Sequence, residues 1–362
     1  MNQTTESKKG GISVDTQHIF PVIKRWLYSD KDIFLRELVS NGCDAITKMK
    51  RLVSLGKAEN EEDYCIRVTV DRALKEISIE DNGIGMTFEE IERYINQIAL
   101  SGALEFIEKY EGEENGSGII GHFGLGFYSA FMVAGTVDIH TLSFEEGAQS
   151  AFWSCTDGGE FEMKAGTRTK RGTKITLHVT EEEKEYLEIE KVREVLEKYC
   201  AFMPVPIYLS AVGENGEGKP INDPEPLWLK NPSECTEEEY KAFYKKVFRD
   251  ERDPLFYIHI NAEFPLNFKG ILYFPKLQDE YASLEGQVKL YYNQVFVADN
   301  IKEVIPEYMM LLRGVLDCPE LPLNVSRSYL QNSGYVAKIS NHITKKICDK
   351  LNGLFIANEL CY

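Results

Sequence analysis

The chain has 362 residues, of which 43% are hydrophobic and 11% aromatic, and its formal net charge is −17. This composition is ordinary for a globular protein, and the length exceeds what one hydrophobic core usually serves, so we expect two domains. The acidic balance argues against nucleic acid as a partner, because contact with the phosphate backbone needs a basic surface. The N-terminus is polar and no apolar run reaches membrane-spanning length, which predicts a cytoplasmic protein without a membrane partner.

The cysteines and histidines give no sign of a metal site made by the protein alone. The eight cysteines are scattered without a close pair, and the six histidines form no i, i+4 pair. Zinc sites and redox dithiols need such close spacing. We therefore interpret the cysteines as reduced structural thiols.

The apolar periodicity of residues 34–46 predicts the helix around which the chain is organised. At 100° per residue its apolar side chains fall on one arc, while Glu37, Asn41, Asp44 and Lys48 share a neighbouring stripe. In an isolated helix such a stripe is more often solvated than functional. The motifs that follow in the sequence favour a functional site over a solvated stripe. The predicted core positions are Leu35, Leu38, Val39, Gly42, Ala45, Ile46 and Met49, and the predicted N-cap is Ser29 or Asp30.

Two alternating segments, 66–71 and 76–80, predict a β-hairpin whose second strand leads directly into Asp81. Asp81 opens the motif 81–86, which contains two glycines. A carboxylate in this position can accept a hydrogen bond from the exocyclic amine of a base in a confined pocket. Taken alone, an Asp-Asn-Gly sequence is more often a simple turn.

A glycine-rich segment, 120–127, directly precedes an apolar helix predicted over 128–133. Such a turn presents backbone N–H groups and the positive end of a helix dipole to an anion, although glycines also permit close packing of helices. No Gly-Lys-Ser/Thr sequence follows, which disfavours a P-loop. Upstream, a helical pattern over 91–106 breaks at 101–102, and the polar segment 111–118 is either a mobile lid or a slack surface loop.

The order of these motifs, ending with 171–178, resembles the ATPase fold shared by gyrase, histidine kinases and mismatch-repair proteins. Segments 34–41, 81–86 and 124–131 resemble the ninety-kilodalton heat-shock chaperones, and the likeness runs from about residue 10 to the C-terminus. The resemblance implies a two-layer α/β sandwich of the gyrase, histidine-kinase and mismatch-repair type, followed by a second α/β domain.

The same resemblance implies ATP and Mg²⁺ as ligands and assigns roles to individual residues. Glu37 would be the general base that activates the attacking water, and Asn41 would complete the Mg²⁺ shell. Asp81 would bind the adenine amine, and Thr173 would join its water network. Backbone N–H groups at Gly121, Phe123, Gly124, Gly126 and Phe127 would contact the phosphates. Further pocket contacts are expected at Asp44, Lys48, Gly85 and Met86.

The Gly- and Pro-rich segment 211–226 predicts a short linker between two domains. We expect an ATP-binding domain over 1–210, with a lid at about 99–121. Residues 227–362 then resemble the first part of the family's middle domain, which contacts clients and supplies the catalytic loop. The family's C-terminal dimerisation domain is expected to be absent from this chain.

The second domain is predicted to be mixed α/β, with a capping box at Thr236 that begins a helix running to Phe248. Segment 321–331 resembles the family's catalytic loop, in which an arginine reaches the γ-phosphate. Arg327 would be that arginine, stabilising charge on the transferring phosphoryl group. Without the resemblance, a surface arginine near a turn would be the simpler reading. Strands are predicted over 255–261, 264–274 and 288–297, and helices around 308 and over 335–351.

These observations predict an ATP-dependent molecular chaperone that acts on client proteins during folding and the stress response, with co-chaperones as further partners. The full-length family is expected to form homodimers, and this chain to be a monomer or weak dimer. Two alternatives stay open. A DNA-processing ATPase of the same fold would need a basic DNA-facing groove, which the acidic charge disfavours. A nucleotide-gated binding module would change shape with ATP without appreciable turnover.

Overall fold

The structure is a computed structural model, and it describes most of the chain from residue 30 onward. The described residues are 30–60, 63–98, 100–110, 118–121, 124–213, 218–263, 267–276, 287–299, 312–320 and 333–359.

Seven strands form the first sheet: β1 Ile66–Asp71, β2 Glu76–Asp81, β3 Ala134–Leu142, β4 Ala151–Thr156, β5 Phe161–Ala165, β6 Gly172–Val179 and β7 Ile207–Ala211. Their spatial order is β5-β4-β3-β6-β2-β1-β7. Strands β1 and β7 are parallel, and every other neighbouring pair is antiparallel. Strand β2 is thus near the middle of the sheet, which places its last residue, Asp81, inside the molecule.

One layer of helices covers this sheet. It comprises α1 Ile33–Ser54, α2 Phe88–Tyr94, α3 Gly102–Tyr110 and α4 Ile189–Tyr199, with 3-10 helices at Gly126–Met132 and Glu181–Leu187. Six of the seven predicted core positions of α1 are buried, with Leu35, Val39 and Ile46 fully enclosed, whereas Ala45 is half-buried at the cavity wall. The arrangement of one sheet and one helical layer confirms the predicted two-layer α/β sandwich.

The predicted β1–β2 hairpin is also confirmed, with Asp71 opposite Glu76. Its turn is held by the carboxylate of Asp71, whose Oδ1 accepts hydrogen bonds from the backbone N–H groups of Ala73 at 2.9 Å and Leu74 at 3.0 Å. An aspartate that bonds the backbone two and three residues later favours a tight turn. This local chemistry explains why the hairpin is predictable from sequence.

Three local predictions in this region are wrong in detail. The N-cap position of α1 is Asp32, while Asp30 lies earlier and accepts a hydrogen bond from the Asp32 N–H at 3.0 Å; Ser29 lies outside the described residues. The helical pattern over 91–106 divides near the predicted break at 101–102, since α3 begins at Gly102, but a capping box at Thr87 starts the first helix earlier, at Phe88, and that helix already ends at Tyr94. The apolar segment after the glycines is a 3-10 helix, Gly126–Met132.

The second sheet contains five strands: β8 Phe256–Ala262, β9 Phe268–Phe274, β10 Val288–Tyr292, β11 Val295–Asp299 and β12 Arg313–Asp317, in the order β11-β10-β12-β9-β8. Residues 288–297 were predicted as one strand and instead form a hairpin. Its turn is Asn293-Gln294, with φ of +48° and +66°. Asparagine tolerates this left-handed conformation and favours such two-residue turns.

Helices α5 Glu237–Phe248 and α6 Ser333–Glu359 belong with the second sheet. The predicted capping box is confirmed, because Thr236 and Glu239 exchange side-chain and backbone hydrogen bonds. Helix α6 packs on the sheet through four buried side chains, Val336, Ile339, Ile343 and Ile347. The predicted helix around 308 and segment 321–331 lie outside the described residues. Among the described helices, none has the length and apolar content that crossing a membrane requires.

An aromatic cluster fills the junction between the two sheets. The ring of Phe202 lies 4.6 Å from that of Trp228 and 5.6 Å from that of Tyr291, centroid to centroid. Edge-to-face pairs at such distances stabilise a contact beyond the area that they bury. Within the predicted linker, the carbonyl oxygen of Pro224 accepts a hydrogen bond from Gln294 of the second sheet at 2.9 Å, and the division into two domains there stays a prediction.

Candidate functional site

One cavity of about 500 Å³ lies between α1, the central strands of the first sheet, α2, α3 and the glycine-rich turn. Three motifs that are distant in sequence meet there. Phe123 and Arg327 lie outside the described residues. The other twelve of the fourteen candidate residues all line this cavity: Glu37, Asn41, Asp44, Lys48, Asp81, Gly85, Met86, Gly121, Gly124, Gly126, Phe127 and Thr173.

Glu37 is a buried carboxylate fixed by its neighbour in the helix. Its Oε1 accepts hydrogen bonds from Arg36 Nε at 3.0 Å and Nη2 at 2.8 Å. Its other oxygen, Oε2, lies against the glycine turn, because a Cβ added to Gly126 would be only 2.7 Å from it. Charge-assisted bonds of this kind hold a side chain in one orientation. The structure therefore places one carboxylate oxygen beside the turn that would receive the phosphates.

Asp44 is buried and fastens the start of the glycine-rich segment to α1. Its Oδ1 accepts from the Ile120 N–H and its Oδ2 from the Gly121 N–H, each at 2.7 Å. The Gly121 N–H, predicted to contact phosphate, therefore donates to a protein carboxylate in this structure. Two backbone donors on one carboxylate make a strong clamp between residues 76 and 77 positions apart.

Oxygen ligands gather near Gly121. A Cβ at this glycine would lie 3.7 Å from Asn41 Oδ1 and 3.0 Å from Asp44 Oδ2. Amide and carboxylate oxygens suit Mg²⁺, which usually takes one or two protein ligands and completes its shell with phosphate oxygens and water. Within the described residues, no group of three His, Cys, Asp or Glu side chains could hold a metal ion by itself. The donor set fits a cation that arrives with a phosphate ligand.

Asp81 ends strand β2 at the inner wall of the cavity and is 7% exposed. Burial raises the pKa of its carboxyl group to about 7. Its Oδ1 accepts the Gly83 N–H at 2.8 Å. On the neighbouring strand Asp81 pairs with Thr173, whose hydroxyl lies 3.0 Å from that of Thr141. A carboxylate with hydroxyl groups beside it can accept and relay the hydrogen bonds of a flat polar ligand.

Two glycines of the site are required by close approach of the backbone. Gly85 has φ of +66°, and a Cβ there would lie 1.9 Å from the carbonyl oxygen of Leu142. Gly124 has φ of +64°, and a Cβ would lie 2.4 Å from the carbonyl oxygen of Leu100. Only glycine adopts this conformation without strain and admits such contacts. Gly124 thus allows a close backbone contact with the connection between α2 and α3, not with a helix, alongside its place in the cavity wall.

Lys48 supplies a cation on the α1 side of the cavity. Burial lowers the pKa of its ammonium group, and the carboxylates of Asp44 and Glu90 act in the opposite direction. Its Nζ lies 5.7 Å from the ring centroid of Phe106 on α3. A buried ammonium group is costly unless anions face it. The position favours an additional anionic ligand.

Sequence reasoning missed the cavity wall made by α2 and α3. Glu90, Arg93 and Tyr94 of α2 line the cavity together with Glu105 of α3, and the Tyr94 hydroxyl donates to Glu105 Oε2 at 2.7 Å. The i, i+3 and i+4 spacing of the three α2 residues was a detectable signal, because such positions share one helix face.

Comparison with known proteins agrees with this geometry. Residues 30–190 match the family model "Histidine kinase-, DNA gyrase B-, and HSP90-like ATPase", and residues 214–359 match "Hsp90 protein". The chain is 47% identical over 358 residues to Chaperone protein HtpG of Porphyromonas gingivalis and 48% identical over 357 residues to that of Bacteroides thetaiotaomicron. Chaperone protein HtpG of Roseobacter denitrificans is 37% identical over 356 residues.

The fold and the cavity define the first part of the chain as an ATPase domain of the histidine kinase, gyrase and HSP90-like class. The matches cover 96% of this chain but only 52% of the Porphyromonas and Bacteroides proteins and 56% of the Roseobacter protein. The chain thus spans about half the length of these relatives. With its second part also matched, the chain belongs to the HSP90 protein family.

Proposed function

We propose that this chain binds ATP with Mg²⁺ in the cavity and hydrolyses it, and that the nucleotide cycle drives conformational changes acting on client proteins. One observation carries the proposal: a carboxylate and amide stripe on α1, a carboxylate at the end of β2 and a glycine-rich turn all line a single cavity. Because each motif alone has a commoner structural explanation, their convergence supports a nucleotide site.

The adenine base would lie at the Asp81 end of the cavity. Asp81 would accept a hydrogen bond from the exocyclic amine, and the hydroxyl groups of Thr173 and Thr141 would continue the polar contacts. Met86 and Gly85 line the same wall. A buried acceptor of this kind favours a ligand that brings its own donor, because an unpaired carboxylate in the interior is costly.

The phosphates would lie at the opposite end, over the glycine-rich turn. Backbone N–H groups of Gly124, Gly126 and Phe127, together with Lys48, would supply donors and positive charge. Asn41 would contribute one oxygen to the Mg²⁺ shell, and that ion would neutralise phosphate charge when bound. Glu37 would orient and deprotonate the attacking water, in keeping with its buried, fixed carboxylate.

The remaining parts of the proposal come from family resemblance. Arg327 would reach the γ-phosphate, Phe123 would contact the phosphates, and residues 99–121 would act as a lid on the domain 1–210. Residues 227–362 would contact client proteins and co-chaperones in the cytoplasm, and the full-length family would act as a homodimer. Since the chain spans about half of its relatives, each of these needs a direct test.

Calorimetric titration of ATP with Mg²⁺ into the wild type and Asp81→Asn, with phosphate release followed on the same samples, tests the proposal. We expect binding by the wild type and its loss in the variant, because the variant alters the base acceptor. In Glu37→Ala, binding should persist while hydrolysis stops. A folded wild type that binds no ATP, or steady hydrolysis by Glu37→Ala, would show that these assignments are wrong.

A nucleotide-gated module without appreciable turnover is the second candidate. It is favoured by the two hydrogen bonds that Arg36 donates to Glu37 Oε1, which engage one oxygen of the proposed base. In that case ATP would bind and change the affinity for a client protein, but no phosphate would be released. The phosphate assay on the titrated samples separates the two candidates.

A further inference from the structure

The start of the glycine-rich segment, residues 119–121, is held from two sides. On the cavity side, the Ile120 and Gly121 N–H groups donate to the two carboxylate oxygens of Asp44, each at 2.7 Å. On the other side, the carbonyl oxygen of Ile119 accepts a hydrogen bond from Asn293 Nδ2 at 3.4 Å. Asn293 belongs to the second sheet, so three consecutive residues connect the cavity with the far part of the chain.

Asn293 is the first residue of the β10–β11 turn, and the second, Gln294, is anchored more firmly. Gln294 Nε2 donates to the carbonyl oxygens of Phe202 at 2.8 Å and Pro224 at 2.9 Å. Its backbone N–H donates to Asp317 Oδ2 at 2.9 Å. The two side-chain bonds fix the turn against Phe202 and Pro224, the backbone bond fixes it within the second sheet, and together they determine where Asn293 meets Ile119.

The side chain of Ile119 ties this contact to helix α3. Ile119 is 2% exposed and belongs to a small apolar cluster with Leu52, Ala103 and Phe106. Two of these, Ala103 and Phe106, lie on α3, which forms one wall of the cavity. Closely packed interiors transmit displacement, so a shift of residue 119 is felt at that wall.

The Gly121 N–H is the point of competition. It donates to Asp44 here, whereas the family resemblance assigns it to a phosphate oxygen, and an N–H that donates to one oxygen at 2.7 Å makes at best a weaker bond to a second. The arrangement with Asp44 bound and the arrangement with phosphate bound are thus two states of residues 119–121. A contact that is present in one state stabilises that state relative to the other.

We propose that the Asn293-Gln294 turn is a positioning device by which the second part of the chain holds residues 119–121 on Asp44 and thereby lowers the affinity for the nucleotide's phosphates. This inference rests on the proposed function, because it requires that the cavity bind a nucleotide. It adds a regulatory contact remote from the ligand. The turn acts through Ile119, whose carbonyl oxygen Asn293 contacts.

The double variant Asn293→Gly/Gln294→Gly tests the inference. Both positions have positive φ, so glycine keeps the hairpin turn and removes only the side-chain contacts. The matched control is Lys75→Gly, which also replaces a positive-φ residue in a hairpin, that of β1 and β2, away from the junction. Any general effect of relieving turn strain appears equally in the control.

The measurement is calorimetric affinity for adenosine and for ATP with Mg²⁺ in each protein. Adenosine reports the base end alone, and ATP also reports the phosphate end. We expect the double variant to bind ATP about two- to tenfold more tightly, the range given by loss of modest hydrogen bonds, while adenosine affinity stays as in the wild type. Hydrogen exchange of the Ile120 and Gly121 amides should become faster.

Other outcomes overturn the inference. Unchanged or weaker ATP binding, or an equal change for adenosine and ATP, would show that the turn does not act on residues 119–121. The same gain in Lys75→Gly would assign the effect to turn strain. A wild type that binds neither ligand overturns the proposed function, and this inference with it, before any variant is compared.

Discussion

Asp81→Asn is expected to have opposite effects on stability and on binding. The wild-type carboxyl group is 7% exposed, and burial raises its pKa from 3.8 to about 7. Such a change corresponds to about 4 kcal/mol of difference between the charged and neutral forms in the folded state. Asparagine occupies nearly the same volume without a charge. The empty variant should therefore be more stable than the wild type at pH 8, although it binds ATP less well.

The pH dependence gives the sharper test. Because the folded pKa of Asp81 lies above the unfolded value, the folded protein holds the extra proton between these two values, and the free energy of unfolding falls as the pH rises through that window. The stability difference between the variant and the wild type should grow by roughly 1.4 kcal/mol per pH unit from about pH 4 to about pH 7, and then level off. Other titrating groups are common to both proteins and cancel.

Urea denaturation of both proteins at closely spaced pH values measures this difference. The exposed Asp349→Asn on α6 is the control for removing one negative charge from the chain. If the gain in stability of Asp81→Asn were the same at pH 5 as at pH 8, or if the variant were less stable at pH 8, the carboxylate would not be strained by burial. The electrostatic account of the adenine end would then be wrong.

Three further predictions concern neighbouring parts of the site. Glu37→Gln keeps an acceptor for Arg36 and should bind ATP normally while phosphate release falls by about 10²-fold or more; normal turnover would exclude Glu37 as base. Gly124→Ala places a Cβ 2.4 Å from a backbone oxygen, so calorimetric ATP affinity should fall and the melting temperature should fall further than in Gly147→Ala, which shares a positive φ but has nothing within 4 Å. Thr141→Val leaves the Met86 N–H without its acceptor and should cost about 1–3 kcal/mol in urea unfolding; equal loss in the exposed Thr136→Val would contradict this.

The elements that sequence predicted well are those whose causes are local. Helix α1 follows from apolar residues at helical spacing, and the β1–β2 turn follows from the side chain of Asp71 bonding its own backbone. The β10–β11 turn was missed because the apolar run around it continues on both sides, and Asn293 is followed by Gln294 instead of the glycine that makes such a turn recognisable. Positive φ at two consecutive residues is decided by the contacts of Gln294 across the junction.

The site shows the same division. That Asp44 belongs to the cavity was predictable from the stripe on α1, but its bonds to residues 120 and 121 were not, since they depend on how the chain returns after 76 positions. The partners of a buried polar group are set by tertiary structure. The family resemblance supplied the residue roles for the nucleotide-bound state. In the structure, Asp44 accepts a hydrogen bond from the Gly121 N–H, a donor that the resemblance assigns to the phosphates.

The buried polar groups of the cavity explain why a ligand and the fold are coupled. Burial shifts the pKa values of Asp81 and Lys48 in the direction that favours their neutral forms, so the cavity wall disfavours the charges that would bind a ligand. An amine donor at one end and phosphates at the other would pair both groups. The apolar face of α1 anchors this arrangement, because Val39 and Ile46 are buried in the hydrophobic core while Glu37 and Asp44 face the cavity from the same helix. A binding site requires such polar groups, whose charged forms burial disfavours, on a well-packed framework. At these residues a gain in stability is expected to reduce ligand binding.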